Sequence, residues 1–100
     1  MIELEDAVME IIVNAGQSRS LCFEALHAAR TGNIDEARLL LNEADGYARR
    51  AHQMQTQLIG QDAGEACQPM TLIMVHAQDH LMNSLLAREF SEELIHLYQR

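Results

Sequence analysis

The sequence contains few of the residues that interrupt helices or build aromatic cores. Its 100 residues include five glycines, one proline, two tyrosines, two phenylalanines and no tryptophan. Hydrophobic residues still make up 48% of the chain, which is enough for the core of one domain, and we expect a single domain over residues 1–100. A chain of this length leaves a large share of its surface exposed, which gives it reason to bury more by oligomerising.

Positive charge and long apolar runs are scarce as well. Seven Lys and Arg residues against 15 Asp and Glu residues give a net charge of −8, which argues against nucleic acid or an anionic membrane as a partner. No segment approaches the ~18 consecutive apolar residues of a membrane span, so we expect no direct membrane insertion. The N-terminal segment MIELEDAVMEII is acidic, unlike the basic start of a signal peptide, and we expect a cytoplasmic protein.

Cysteine is also scarce in this sequence. Cys22 and Cys67 are the only two in the chain, and they form no CxxC or CxxH pattern. Because two isolated cysteines do not make a disulfide framework, we expect free thiols.

Apolar residues recur with the 3.6-residue period of a helix in three long segments, and the alternation typical of strands is absent. The segments span about residues 2–30, 34–59 and 69–98, separated by TGN and by GQDAGEACQP. Gly32 suits a left-handed residue after the first helix, Asn33 an N-cap, Glu36 the capping-box position and Pro69 the first turn of the third helix. Short turns make sequential helices antiparallel, so the sequence predicts an all-α, up-down-up three-helix bundle.

The first two predicted helices each carry one apolar stripe. The stripe residues are Leu4, Val8, Ile11, Ala15, Cys22, Leu26 and Ala29 of the first helix and Ile34, Ala37, Leu41, Ala44, Ala48 and Ala51 of the second. The second stripe consists mostly of small side chains, which permits close helix approach.

The third predicted helix has two apolar faces. Alternating steps of four and three residues visit Leu72, His76, Asp79, Asn83, Leu86, Phe90, Glu93 and Leu97, and His80 lies one turn after His76. The other apolar face carries Met74, Val75, Leu81, Met82 and Leu85. Since two apolar faces need two surfaces to bury them, we expect one to pack within the bundle and the face with the histidines and Asp79 to meet a second subunit. Asp79 would then approach its own copies near a symmetry axis, where like carboxylates repel and burying them uncompensated costs several kcal/mol each. A divalent cation or protonation would relieve that cost.

Two chemistries compete for this cluster, and the first is metal hydrolysis. HAQDH has the form HxxDH, similar to the HxxEH pattern of some zinc hydrolases with aspartate in place of glutamate. His76 and His80 could both bind one zinc ion, although a catalytic zinc needs a third protein ligand. In this alternative the chain is a small helical metal-binding protein or metallohydrolase that uses His76, Asp79 and His80.

The second chemistry is nucleophilic attack by a histidine. An imidazole with a pKa near ~6.5 leaves one ring nitrogen free at neutral pH to attack phosphorus. Gln78 or Gln55 could donate hydrogen bonds to phosphoryl oxygens, and a protonated His80 could offset their charge. A carboxylate beside a phosphoryl group is unfavourable, so we expect Asp79 to point to the axis and His76 to point to solvent.

The segment VHAQDHLM, together with NAGQSRS in the first helix and AHQMQTQLI in the second, resembles the lactose/cellobiose-type enzyme IIA family of the bacterial sugar phosphotransferase system. The resemblance covers essentially the whole chain. It implies a homotrimer with the third helices near the axis, in which His76 takes a phosphoryl group from the phosphohistidine of HPr and passes it to a cysteine of the cognate enzyme IIB. It also implies that Asp79 binds a metal on the axis, usually taken as Mg²⁺, and that His80 and Gln78 lie around the site. Neither cysteine belongs to the motif, and the transported β-disaccharide stays open among lactose, cellobiose and chitobiose.

Overall fold

A computed structural model describes residues 3–64 and 67–100, and it consists there of three long helices. They are α1 (Leu4–Arg30), α2 (Ile34–Ala63) and α3 (Leu72–Tyr98). No strand occurs within those described ranges. The helices pack side by side into a rod of 52 × 20 × 17 Å, in which each pair of helices is in contact. The predicted all-α three-helix bundle is therefore confirmed.

The turn between α1 and α2 forms as its residues predict. Gly32 has a φ of +93°, a left-handed conformation that costs glycine little because it has no Cβ. The Gly32 N–H donates to the carbonyl of Ala29 at 3.0 Å and the Asn33 N–H donates to that of Ala28 at 2.8 Å, which together make a Schellman motif. The Asn33 side chain also accepts from the Glu36 N–H at 3.3 Å. The predicted N-cap is confirmed. The capping box is incomplete, because the Asn33 N–H donates to the carbonyl of Ala28 rather than to the Glu36 side chain.

The connection between α2 and α3 differs from the prediction at both ends. Helix α2 continues to Ala63, four residues beyond the predicted end, because Gly60 is tolerated inside a helix at a modest cost. Helix α3 begins at Leu72 rather than Pro69, and the hydroxyl of its N-cap, Thr71, accepts from the Met74 N–H at 3.3 Å. The hydroxyl of Thr71 can accept a hydrogen bond from the first turn of the helix, whereas the side chain of Pro69, two residues earlier, has no acceptor.

Two parts of the predicted segments lie outside the described residues. These are Ile2 of the first predicted helix and Glu65 and Ala66 of the predicted GQDAGEACQP loop.

Two apolar clusters form the core. One contains Ala7, Val8, Ile11, Ala15, Ala51, Leu58, Met74, Ala77 and Leu81, and the other contains Cys22, Ala25, Ala28, Ala29, Ala37, Leu41, Ala44 and Ile95. The predicted stripes of α1 and α2 are therefore buried or half-buried throughout. The many alanines let the helix axes approach closely, because interaxial distance depends on the side chains at the contact.

Helix α3 buries one face and exposes a second apolar face, as predicted, but two residues lie on the other side from where they were expected. Met74 and Leu81 are buried in the core, whereas Val75 and Met82 are 40% and 48% exposed. The reason is geometric, since each residue turns about 100° around the helix axis from its predecessor. Val75 and Met82 therefore join a set of exposed residues that we call the outer stripe of α3, namely Leu72, Val75, Asp79, Met82, Leu86, Phe90 and Leu97.

Candidate active site

His76 and His80 form a contacting pair on the surface of α3. Their Nε2 atoms lie 3.1 Å apart, and their rings meet edge to face with centroids 4.4 Å apart and an interplanar angle of 86°. His76 is exposed and His80 is half-buried. The one-turn spacing predicted from the sequence thus brings the two Nε2 atoms together.

The separation of the two Nε2 atoms defines how the pair shares a proton. A neutral imidazole carries one N–H and one lone pair, so a 3.1 Å contact requires one Nε2 to donate and the other to accept. Where His80 donates, the single lone pair of the His76 Nε2 accepts this hydrogen bond, and it becomes available to an electrophile when the hydrogen bond breaks. The arrangement is chemically that of an accessible nucleophile with a neighbouring proton donor.

Gln78 faces away from this pair and towards α2. It lies about 200° around the helix axis from His76, and its Oε1 accepts a hydrogen bond from Gln55 Nε2 at 2.7 Å. Its own Nε2 lies 3.5 Å from the Sδ atom of Met74. The two glutamines therefore join each other, and within this chain neither amide is aimed at the histidine pair.

Asp79 lies on the outer stripe of α3. Around the helix axis it is about 60° from His76, in the direction opposite to that of His80. The side chain is exposed. In residues 3–64 and 67–100, no group of three or more His, Cys, Asp and Glu side chains is placed to hold a metal ion. The histidine pair thus gains no third protein ligand from the described part of its own chain, and the metallohydrolase alternative is not supported.

An apolar groove of about 240 Å³ opens beside the site, between the end of α2 and the start of α3. Its lining residues are Gln55, Leu58, Ile59, Asp62, Gln68, Met70, Met74, Val75 and Gln78. A docking surface for a partner protein should be apolar and near His76, and Leu72, Ile73 and Met74 at the start of α3 could contribute to it. Leu72 and Ile73 are 86% and 50% exposed, which suits that role, whereas Met74 is buried.

A network of charged side chains connects α2 and α3 in the other half of the bundle, and sequence reasoning did not find it. Arg88 donates from Nε and NH2 to the two carboxylate oxygens of Asp45 at 2.6 and 3.1 Å, and from NH1 to Glu92 at 3.3 Å. Glu92 also pairs with Arg38 and lies 3.1 Å from His96 Nε2. Asp45 raises the pKa of Arg88, and hydrogen bonding from Arg38 lowers the pKa of Glu92. The four-residue spacing of Arg88 and Glu92 could have predicted the ion pair between them, but it gave no indication that Arg88 also pairs with Asp45.

The remaining histidines and cysteines lie apart from the pair. His27 is near the end of α1, where its Nδ1 lies 3.0 Å from Arg30 NH2, and His52 is exposed on α2. Cys67 is exposed and free, while Cys22 is free and buried. Burial raises the pKa of the Cys22 thiol, against a smaller effect of its hydrogen bond with Ser91, so Cys22 is a poor nucleophile.

None of the helices in the described part of the chain combines the length and apolar character needed to cross a membrane.

The fold and the site define a three-helix bundle whose third helix carries an exposed histidine in contact with a second histidine. Residues 6–99 match the protein family described as "PTS system, Lactose/Cellobiose specific IIA subunit". The N,N'-diacetylchitobiose-specific EIIA component of Escherichia coli K12 is 46% identical over 98 residues, which are 98% of this chain and 84% of that protein. This chain therefore belongs to the lactose/cellobiose-specific IIA subunit family of the sugar phosphotransferase system.

Solved structures agree with this assignment. The cellobiose-specific enzyme IIA of Bacillus anthracis superposes with a TM-score of 0.93 at 35% identity, over 99% of this chain and 92% of that one. The IIA(Chitobiose) chain in its complex with HPr, from Escherichia coli, gives a TM-score of 0.85 at 44% identity, over 99% and 96% of the two chains.

Proposed function

We propose that this protein is a phosphoryl carrier in which His76 accepts a phosphoryl group from phospho-HPr and passes it to a cysteine of the cognate enzyme IIB. The observation that carries this proposal is the exposed side chain of His76, whose Nε2 lies 3.1 Å from the Nε2 of His80. A relative 44% identical to this chain was solved in complex with HPr, which supports HPr as the donor.

The proposed transfer uses the proton shared by the histidine pair. A hydrogen bond from the Nε2–H of His80 to the Nε2 of His76 keeps the proton of His76 on Nδ1 and its lone pair on Nε2, and this hydrogen bond breaks as phospho-HPr approaches. This lone pair attacks phosphorus, so that a P–N bond to His76 forms while the P–N bond of phospho-HPr breaks. The N–H of His80 is then free to donate to a phosphoryl oxygen. In the second step a thiolate of enzyme IIB attacks the same phosphorus, and the P–N bond of His76 breaks as a P–S bond forms.

We further propose a homotrimer that buries the outer stripe of α3. Leu86 and Phe90 on this stripe are 51% and 60% exposed in the single chain, and apolar area of this kind favours association. In a trimer around α3, three copies of Asp79 would meet at the axis. Carboxylate oxygens fit the ligand preference of Mg²⁺, so Asp79 would hold the ion, which would offset the repulsion between the three carboxylates.

We also propose where the protein acts and which sugar its system transports. Because its proposed partners HPr and enzyme IIB act in the cytoplasm, this protein would act there as well. The sugar is a β-disaccharide of the lactose, cellobiose or chitobiose type, in keeping with the specificities of its relatives.

The test is intact-mass spectrometry at neutral to basic pH after incubation with phosphoenolpyruvate, enzyme I and HPr. We expect the wild type to gain the mass of one phosphoryl group and His76→Ala to gain none. His27→Ala is the matched control, because His27 is also exposed on a helix but its ring lies against Arg30 rather than a second histidine, and it should be phosphorylated like the wild type. Phosphorylation of His76→Ala, or none of the folded wild type with active HPr, would overturn the proposal.

A further inference from the structure

We propose that His76 and His80 together bind a transition-metal cation such as Ni²⁺, Cu²⁺ or Zn²⁺, and that the bound cation prevents phosphoryl acceptance. The second half of this statement rests on the proposed carrier function. The first half rests only on the geometry of the histidine pair.

The two imidazoles are separated by nearly the distance that a chelated metal requires. Metal–nitrogen bonds of 2.0–2.1 Å in tetrahedral geometry place the two nitrogens roughly 3.3 Å apart. The Nε2 atoms of His76 and His80 lie 3.1 Å apart, so small rotations of the two rings suffice to direct both lone pairs to one ion. Water would supply the remaining ligands, because the described residues offer no third His, Cys, Asp or Glu there.

Access and charge both favour a cation at this position. His76 is exposed and His80 is half-buried, so an ion can reach both rings without a change of fold. The net charge of −8 raises the local concentration of cations around the protein. Imidazole nitrogen prefers Cu²⁺, Ni²⁺ and Zn²⁺, whereas Mg²⁺ prefers oxygen. The pair is therefore chemically separate from the Mg²⁺ proposed at Asp79.

Metal binding and phosphorylation compete for the same lone pair. A metal ion on the Nε2 of His76 leaves no electron pair there to attack phosphorus. Conversely, phosphorylated His76 has no free Nε2 with which to bind the metal. Such competition is reciprocal by linkage, so each modification should weaken the other by the same factor.

The binding test is calorimetric titration of the untagged protein with NiCl₂. The Cys67→Ser background is used throughout, because the exposed thiol of Cys67 is another metal ligand. Removing one of two ligands by His76→Ala or His80→Ala should weaken Ni²⁺ binding by about tenfold or more. His96→Ala is the matched control, since His96 is also exposed on α3 but has Glu92 as its neighbour one turn earlier, and it should bind like the background protein. MgCl₂ should not compete with Ni²⁺ for the pair.

The competition test uses purified phospho-HPr as the only donor, so that no metal-dependent kinase step is present. Ni²⁺ should slow phosphorylation of the background protein, whereas the residual phosphorylation of His80→Ala should be insensitive to the same Ni²⁺ concentration. Equal Ni²⁺ affinity in His80→Ala and its background would overturn the binding site, and unslowed phosphorylation at saturating Ni²⁺ would overturn the competition. Failure of phosphorylation without Ni²⁺ would instead refute the carrier function and leave the calorimetric result standing.

Discussion

The ion pair between Arg88 and Asp45 makes a quantitative prediction about what holds α3 against α2. Two guanidinium nitrogens of Arg88 contact the two carboxylate oxygens of Asp45 at 2.6 and 3.1 Å. The side chains are 22% and 33% exposed, respectively. This pair therefore differs from the usual surface ion pair both in its bidentate geometry and in its burial.

These two differences determine the expected magnitude. A fully exposed ion pair contributes about 0–1 kcal/mol to stability, whereas hydrogen bonds to charged groups contribute about 1.5–3 kcal/mol each. Partial exposure reduces the second figure, and Glu92 remains as a partner for Arg88 when Asp45 is removed. We therefore expect Asp45→Ala to lower the free energy of unfolding by about 2 kcal/mol, with a coupling energy to Arg88 of about 1–2 kcal/mol.

The assay is a double-mutant cycle with Asp45→Ala and Arg88→Met, measured by urea unfolding at one fixed protein concentration. The concentration must be fixed because association would add to the apparent stability. Arg49→Met is the matched control, since Arg49 is exposed on the same helix as Asp45 and should change stability by less than about 0.5 kcal/mol. A coupling energy below about 0.3 kcal/mol would show that the pair does not link the two helices, whatever its geometry.

Three further predictions concern the turn, acid stability and the oligomer. Gly32→Ala should lower the free energy of unfolding by about 1 kcal/mol, because a φ of +93° places a Cβ in a strained position; thermal unfolding measures the loss. Glu92→Gln should make stability less sensitive to acid. Hydrogen bonding from Arg38 and Arg88 lowers the folded-state pKa of Glu92 below its ordinary value of 4.5. The ionised Glu92 therefore contributes fully to the free energy of unfolding above that value, and this contribution is lost as the pH falls through the lower folded pKa. Asp79→Asn should strengthen the proposed trimer in EDTA and abolish its dependence on Mg²⁺, because neutral amides do not repel each other near an axis as carboxylates do; sedimentation velocity with and without Mg²⁺ measures both effects.

Each of these predictions has a control or an outcome that contradicts it. Gly46→Ala adds a methyl group to open space inside α2 and should stabilise slightly, so a loss equal to that of Gly32→Ala would contradict the conformational explanation. An unchanged stability profile between pH 3 and 5 in Glu92→Gln would refute the linkage argument. Asp6→Asn changes an exposed aspartate on α1 and should leave sedimentation unchanged, whereas a Mg²⁺ response retained in Asp79→Asn would place the ion elsewhere.

Much of the fold follows from local sequence signals because a helix is stabilised by residues three and four apart. The periodicity predicted all three helices, and the residues Gly32 and Asn33 defined the first turn, since one satisfies the left-handed conformation and the other caps α2. The contact between His76 and His80 was predictable for the same reason, because a spacing of four residues on a helix fixes their proximity. The family resemblance rested on this segment and two others, and it was confirmed.

Other features depended on neighbouring helices and could not be read from one helix alone. Whether Val75 faces the core or solvent depends on where α1 and α2 pack against α3, and the same packing brings Gln55 of α2 within hydrogen-bonding distance of Gln78. The partner of Arg88 is 43 residues away in sequence, and no local pattern connects it to Asp45. The sequence by itself thus determined the helices, the first turn and the contact between His76 and His80, because those depend on short-range geometry. The tertiary structure decided which face of α3 stays open and which charges join α2 to α3, because those depend on side chains that meet only when the helices pack.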